Sequence, residues 1–198
     1  MKKLVMIAAM MVAAVCANAQ KSLIPVGGFG LMPKVGLNVS QVSGDHTKFK
    51  AGIAAGIEGQ YQINEWLGLS AGLMYEQQGS GFEHSDYKLK TEYINVPILV
   101  KFYVVKGLSL NVGLQPGFMT KGKFGDSNEI DVKDDLNTFD FSMPFSVAYE
   151  FPIGLSLEAR FTDGITNVFK SDNNSWWKDA DKNKNQILQL TVGYKFAL

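Results

Sequence analysis

The chain has 198 residues, 19 basic and 19 acidic side chains, 46% hydrophobic and 12% aromatic residues, one cysteine and two histidines. A formal net charge of +0 leaves no electrostatic footprint for nucleic acid. A lone cysteine excludes an internal disulfide framework, and the length suits one domain.

Residues 1–19 read as an export segment. Lys2 and Lys3 form its charged start, residues 4–15 its apolar stretch, and Ala17-Asn18-Ala19 a small-residue cleavage site. The stretch is about a dozen residues, short of the ~20 that a helix needs to cross a bilayer. Cys16 raises lipidation as an alternative, but Val15 stands where a small residue would be expected before a lipidated cysteine. Cleavage after Ala19 leaves residues 20–198 without cysteine and with a net charge of about −2. No later run reaches ~18 apolar residues, so no helix is expected to span a membrane.

Beyond a lead containing Gly27, Gly28 and Gly30, the chain alternates between apolar and small or polar side chains, the period-two mark of strands with two different faces. The first strand is expected at 31–40, with Val35, Leu37 and Val39 opposing Lys34, Gly36, Asn38 and Ser40. In the second, 51–63, Ile53, Ile57, Tyr61 and Ile63 oppose Glu58, Gln60 and Gln62. The third, 68–78, sets Leu69, Leu73 and Tyr75 against Ser70, Met74, Glu76 and Gln78. The fourth, 91–102, sets Ile94, Val96, Ile98, Val100 and Phe102 against Tyr93, Asn95, Pro97, Leu99 and Lys101.

In the fifth strand, 108–119, Leu110, Val112, Leu114 and Phe118 oppose Ser109, Asn111 and Gln115. The sixth, 138–151, is the most aromatic and carries Asp140 and Glu150 on its reverse face. The seventh, 154–165, opposes Leu155, Leu157 and Phe161 to Glu158 and Arg160. The eighth ends the chain, with Leu188, Leu190, Val192, Tyr194, Phe196 and Leu198 opposite Gln189, Thr191, Gly193 and Lys195. Connections alternate between tight turns (64–67, 104–107, 152–153) and longer polar loops (41–50, 79–90, 120–137, 166–185). The pattern predicts an all-β fold: an eight-stranded antiparallel up-and-down transmembrane barrel with short periplasmic turns and long external loops.

Alternation alone does not say which face points outward, and a soluble lipocalin-like carrier would turn its apolar face inward around a ligand. Three features favour the membrane arrangement. The polar face is rich in Gly, Ser, Ala, Asn and Gln, which suits a narrow interior. The apolar face carries no charge. Aromatics fall at two depths, with Tyr61, Trp66, Phe102, Phe151 and Phe196 near the turn end and Tyr75, Phe118, Phe139, Phe141 and Phe161 toward the loops. Lipid offers no hydrogen bonds, so such a sheet must close on itself.

The run from Glu92 to Tyr103, EYINVPILVKFY, resembles the E-Y-I-x-(I/V)-P-x-L-x-K-(F/Y) strand of the PorT-like outer-membrane barrels of Bacteroidota. Residues 159–167, ARFTDGITN, are similar to that family's R-(Y/F)-x-x-G-(L/I)-x-N stretch, and the ending VGYKF at 192–196 is also shared. The resemblance covers nearly the whole exported chain. It implies an outer-membrane barrel surrounded by lipid and inserted by the barrel-assembly machinery. Ala197 and Leu198 depart from the usual terminal aromatic. The family's namesake serves secretion and gliding, a role that short members need not share.

The inward face brings together Lys34, Lys101, Arg160 and Lys195 with Glu58, Glu76, Asp140, Glu150 and Glu158. An eight-stranded barrel has an interior just filled by side chains, so these read as a lumenal charge network in preference to a gated or proton-conducting path. His46 and His84, with Ser43, Asp45, Ser85 and Asp86 nearby, lie in separate loops without a fixed ligand spacing. An acyl-modifying enzyme built on them is the less favoured reading.

Asp179, Asp181 and Asn183 imitate the start of a calcium loop, but Lys184 replaces its glycine and Leu190 its bidentate glutamate. Trp176 and Trp177 sit on a polar loop, as lipid-interface anchors or as a contact for an external ligand. The sequence thus predicts a non-enzymatic surface or structural barrel with no metal, cofactor or nucleic-acid partner. A secretion-associated barrel, a lipid-modifying enzyme and a soluble carrier are the competing readings.

Overall fold

The computed structural model of the chain describes residues 22–42, 47–82, 85–125, 130–132, 136–167 and 184–198. Residues 1–19, His46, His84, Trp176, Trp177 and most of the calcium-like stretch lie outside them. The described chain is all β. Its wall consists of β1 (Phe29–Val42), β2 (Lys50–Gln62), β3 (Leu67–Phe82), β4 in two pieces (Ser85–Asn95 and Ile98–Val105), β5 (Leu108–Gly125), β6 (Phe139–Glu150), β7 (Leu155–Asn167) and β8 (Lys184–Tyr194), which Phe196–Ala197 continues. Each strand pairs antiparallel with its neighbours in sequence, and β1 also pairs with β8 from Lys34 opposite Gly193 to Val42 opposite Asn185. That seam closes an eight-stranded antiparallel barrel.

The two faces separate as the alternation requires. Leu37 and Leu190 face each other across the seam and are 66% and 60% exposed, while the next pair, Asn38 and Gln189, are 0% and 2% exposed. The same contrast holds around the ring: Ile57, Leu73, Ile98, Leu114, Val147 and Leu157 point out, and Glu58, Lys101, Asn111 and Glu158 point in. An apolar surface of this extent around a polar interior is the inverse of a soluble carrier, so the lipocalin-like alternative is excluded. At the turn end Trp66 stacks on Phe102 (6.4 Å between centroids) and Tyr149 meets Phe151 (4.8 Å). At the loop end Phe118 meets Phe139 (5.4 Å). Phe161 is an exception to the expected girdle. It lies in register with Phe145, lower on the wall than Phe139.

Three tight turns join the strands at the end that the outer-membrane rule assigns to the periplasm. Asn64 accepts hydrogen bonds through its side-chain oxygen from the Trp66 and Leu67 amides (3.0 and 2.8 Å), which folds the first. Gly107 sits at φ 77° in the second, a conformation that side chains resist.

The structure departs from the sequence expectation in two further ways. The fourth strand is broken at Val96–Pro97, because proline has no N–H to donate. The Gly72 amide bonds to Pro97 O (2.9 Å) and the Val96 amide to Pro116 O (2.8 Å), so the wall stays closed. Beside the break Gly113 comes so near β4 that a Cβ there would collide with the Ile98 carbonyl.

Most of the described residues in the expected loops at 79–90 and 120–137 are strand. β3 runs to Phe82, β4 starts at Ser85, β5 reaches Gly125, and Ile130–Asp131 folds back onto β5. These extensions lie on the loop side of the Phe118–Phe139 contact. They are held by a small apolar cluster of Leu89, Tyr93, Met119 and Leu136, with Phe124 and Val132 packed against it.

Candidate functional site

The interior is filled in layers. Nearest the turn end, Lys195 Nζ pairs with the Glu150 carboxylate. The Tyr103 hydroxyl donates to Glu150 Oε1 (2.8 Å), Gln60 Nε2 donates to Tyr103 Oη (2.8 Å), and Lys195 Nζ donates to Gln60 Oε1 (2.8 Å). The layer therefore ties β2, β4, β6 and the last residues of β8 into one ring. Each side chain is placed by strand parity, and each is buried.

The next layer is more highly charged. Lys34 Nζ donates to Glu58 Oε2 (2.6 Å) and to Glu158 Oε2 (2.7 Å), bridging β2 and β7 from β1. Lys101 pairs with Glu58 from β4. Arg160 donates to Glu158 Oε1 through Nη2 (2.9 Å) and Nε (3.1 Å), and its Nη2 lies 3.8 Å from Glu58 Oε2. Five residues thus cross the lumen with three cations on two carboxylates. All five are 5% exposed or less.

Glu76 takes neutral donors. Its Oε2 accepts from Gln78 Nε2 (2.9 Å) and Asn95 Nδ2 (2.7 Å), and its Oε1 accepts from Gln189 Nε2 (3.4 Å) on the other side of the seam. Asp140 accepts from the Thr166 hydroxyl (2.8 Å), which in turn accepts from the Phe141 amide (2.8 Å). Toward the loop ends of β4 and β5, Leu89, Tyr93, Met119 and Leu136 form an apolar cluster.

The structure therefore brings Lys34, Glu58, Lys101, Glu158 and Arg160 into one cluster and Glu150 and Lys195 into a second, with Glu76 and Asp140 apart from both. Tyr103, Gln60, Gln78, Asn95 and Gln189 complete the layers, and sequence reasoning passed over them because they are neutral. Period two would have found Tyr103, which falls on the face of Lys101 once the strand is carried past Phe102.

Chemically, the arrangement fills and braces the lumen. Unpaired buried charge is costly, and each lumenal lysine and arginine here has a carboxylate in reach. Among the described residues no group of three or more His, Cys, Asp or Glu is arranged to hold a metal.

The sequence profile of a family described as "Outer membrane protein beta-barrel domain" matches residues 18–170, most of the chain. The chain belongs to that outer-membrane β-barrel family. No curated protein matches it by sequence. Among solved structures, this family member resembles Ail, the attachment invasion locus protein of Yersinia pestis, at 19% identity and a TM-score of 0.50, over 86% of this chain and 100% of Ail. It also resembles neisserial surface protein A (TM-score 0.56, 14% identity, 85% of this chain and 97% of that one). At these identities the likeness concerns the fold. Family and outward apolar face together place the barrel in the outer membrane.

Proposed function

We propose that this barrel is a non-enzymatic outer-membrane protein that acts as a structural element or binds at the cell surface, and does not conduct solutes. The lumen carries this reading: two ion-paired layers of buried side chains cross it. With passage blocked, the parts free to meet a partner are the external strand extensions and loops. Trp176 and Trp177 belong to this reading as interface anchors or as an external contact, and the lumenal charge network has a structural role.

Export through a cleaved segment ending at Ala19 and insertion by the barrel-assembly machinery complete the proposal. The EYINVPILVKFY run supports a place near the PorT-like barrels. A secretion-associated role is the second reading, and it predicts co-purification with periplasmic or inner-membrane partners.

Ail has been solved with sucrose octasulfate, a heparin analogue, which makes heparin a reasonable first probe for this chain. Vesicles carrying residues 20–198 are expected to be retained on heparin above empty vesicles. Shaving the loops with external protease should abolish retention while the wall stays folded. Retention equal to that of empty vesicles would speak against sulfated-glycan binding and leave the structural role.

A further inference from the structure

The lead before β1 crosses the turn-end mouth of the barrel. Its Gly27 amide donates to Gln62 O (2.8 Å), the Gln62 amide donates to Gly28 O (3.0 Å), and the Gly28 amide donates back to Pro25 O (2.9 Å). The chain is thereby turned inward. Ile24 is 2% exposed and packs on Gly30, where even a Cβ would overlap its side chain. The Ile24 amide donates to Ser22 Oγ (3.2 Å), and Ser22 is itself buried. Leu23 lines a cavity of about 110 Å³ with Lys106, Gly107, Tyr149, Glu150 and Pro152. Those residues belong to the β4–β5 and β6–β7 ends, across the ring from β1. The lead is a strap spanning the mouth directly beneath the Lys195–Glu150–Tyr103 layer.

Its attachment differs from that of the wall. Every strand of the wall is paired on both sides, whereas the strap holds by one large buried side chain and a few hydrogen bonds. Segments held so lightly open locally, well before the whole structure unfolds. With cleavage after Ala19, only Gln20 and Lys21 precede Ser22, so the strap can swing away without disturbing a strand.

We propose that residues 22–28 are a displaceable plug of the periplasmic mouth, docked by Ile24. Its release opens the Lys195–Glu150–Tyr103 layer to the periplasm and leaves the Lys34–Glu58–Lys101 layer shut. This device is independent of whatever the external surface binds.

The cleaved chain has no cysteine, so single substitutions report accessibility cleanly. Ser109 is buried in register with Tyr103, just inside the mouth, and Ser146 is buried deeper, in register with Arg160. Residues 20–198 carrying Ser109→Cys or Ser146→Cys are refolded with Ile24 intact, with Ile24→Ala and with Ile24→Asp. Folding is checked by gel mobility before and after boiling, and a membrane-impermeant maleimide is added.

Losing the burial of an isoleucine should raise labelling of Ser109→Cys roughly tenfold or more. Ile24→Ala should move it in the same direction by less than Ile24→Asp, and Ser146→Cys should stay as slow as before. Equal labelling of Ser109→Cys whatever residue stands at 24 would overturn the proposal. So would a parallel rise at Ser146→Cys, which would mean that the whole barrel had loosened.

Discussion

Glu58 shows at the scale of one residue why the lumen holds together. Lys34 and Lys101 both pair with it, Arg160 lies 3.8 Å away, and none of these groups reaches water. A carboxylate shared by buried cations costs much desolvation, and removing it strands them. Glu58→Gln should therefore lower stability by about 3–5 kcal/mol, measured as a shift in urea unfolding in lipid vesicles. Adding Lys101→Met to that variant should recover part of the loss, because it removes one of the stranded charges. Strictly additive losses would mean that the two side chains do not act as a pair. The nine charged lumenal residues were legible in the sequence, because a charge on an otherwise small and polar strand face stands out. Their partners were not. Which carboxylate meets which lysine depends on tilt and stagger around the closed ring, and no local pattern encodes that.

At the scale of the strand, β8 is the clearest case. Leu188, Leu190, Val192 and Tyr194 point outward and Gln189, Thr191 and Gly193 inward, as the alternation requires. Leu190→Arg would place a charge on the lipid face, at a cost of roughly 2–4 kcal/mol near the bilayer midplane. The same substitution at the exposed terminal Leu198, where the mouth meets water, should cost far less. Equal effects at the two positions, read from urea titrations in vesicles, would contradict a lipid-facing Leu190.

Strand positions were legible wherever lipid enforces the two-face contrast. Legibility faded where that contrast ends: Gly79, Ser80 and Gly81 read as loop, yet they continue β3 opposite Lys90, Leu89 and Lys88. The break at Pro97 could have been anticipated from the missing N–H, but the repair through Gly72 and Pro116 rests on neighbouring strands.

At the scale of the whole molecule, eight strands close a wall around an interior that ion-paired layers cross. The strap at Ile24 lies at the turn end, ion-paired layers fill the middle, and Leu89, Tyr93, Met119 and Leu136 pack together toward the loop end. The repeated alternation announced the closed wall. Neither end was legible, because each joins segments distant in sequence: Leu23 reaches the β4–β5 and β6–β7 turns, and Leu136 packs against Leu89 and Met119. The proposed role is that of a membrane-spanning barrel that passes nothing through its lumen and works by its surfaces. It is tested most directly by recording planar bilayers after insertion of refolded residues 20–198, with insertion verified by heat-dependent gel mobility of the same sample. The filled lumen should give a baseline without steady open levels. Large, stable, uniform single-channel steps would contradict it.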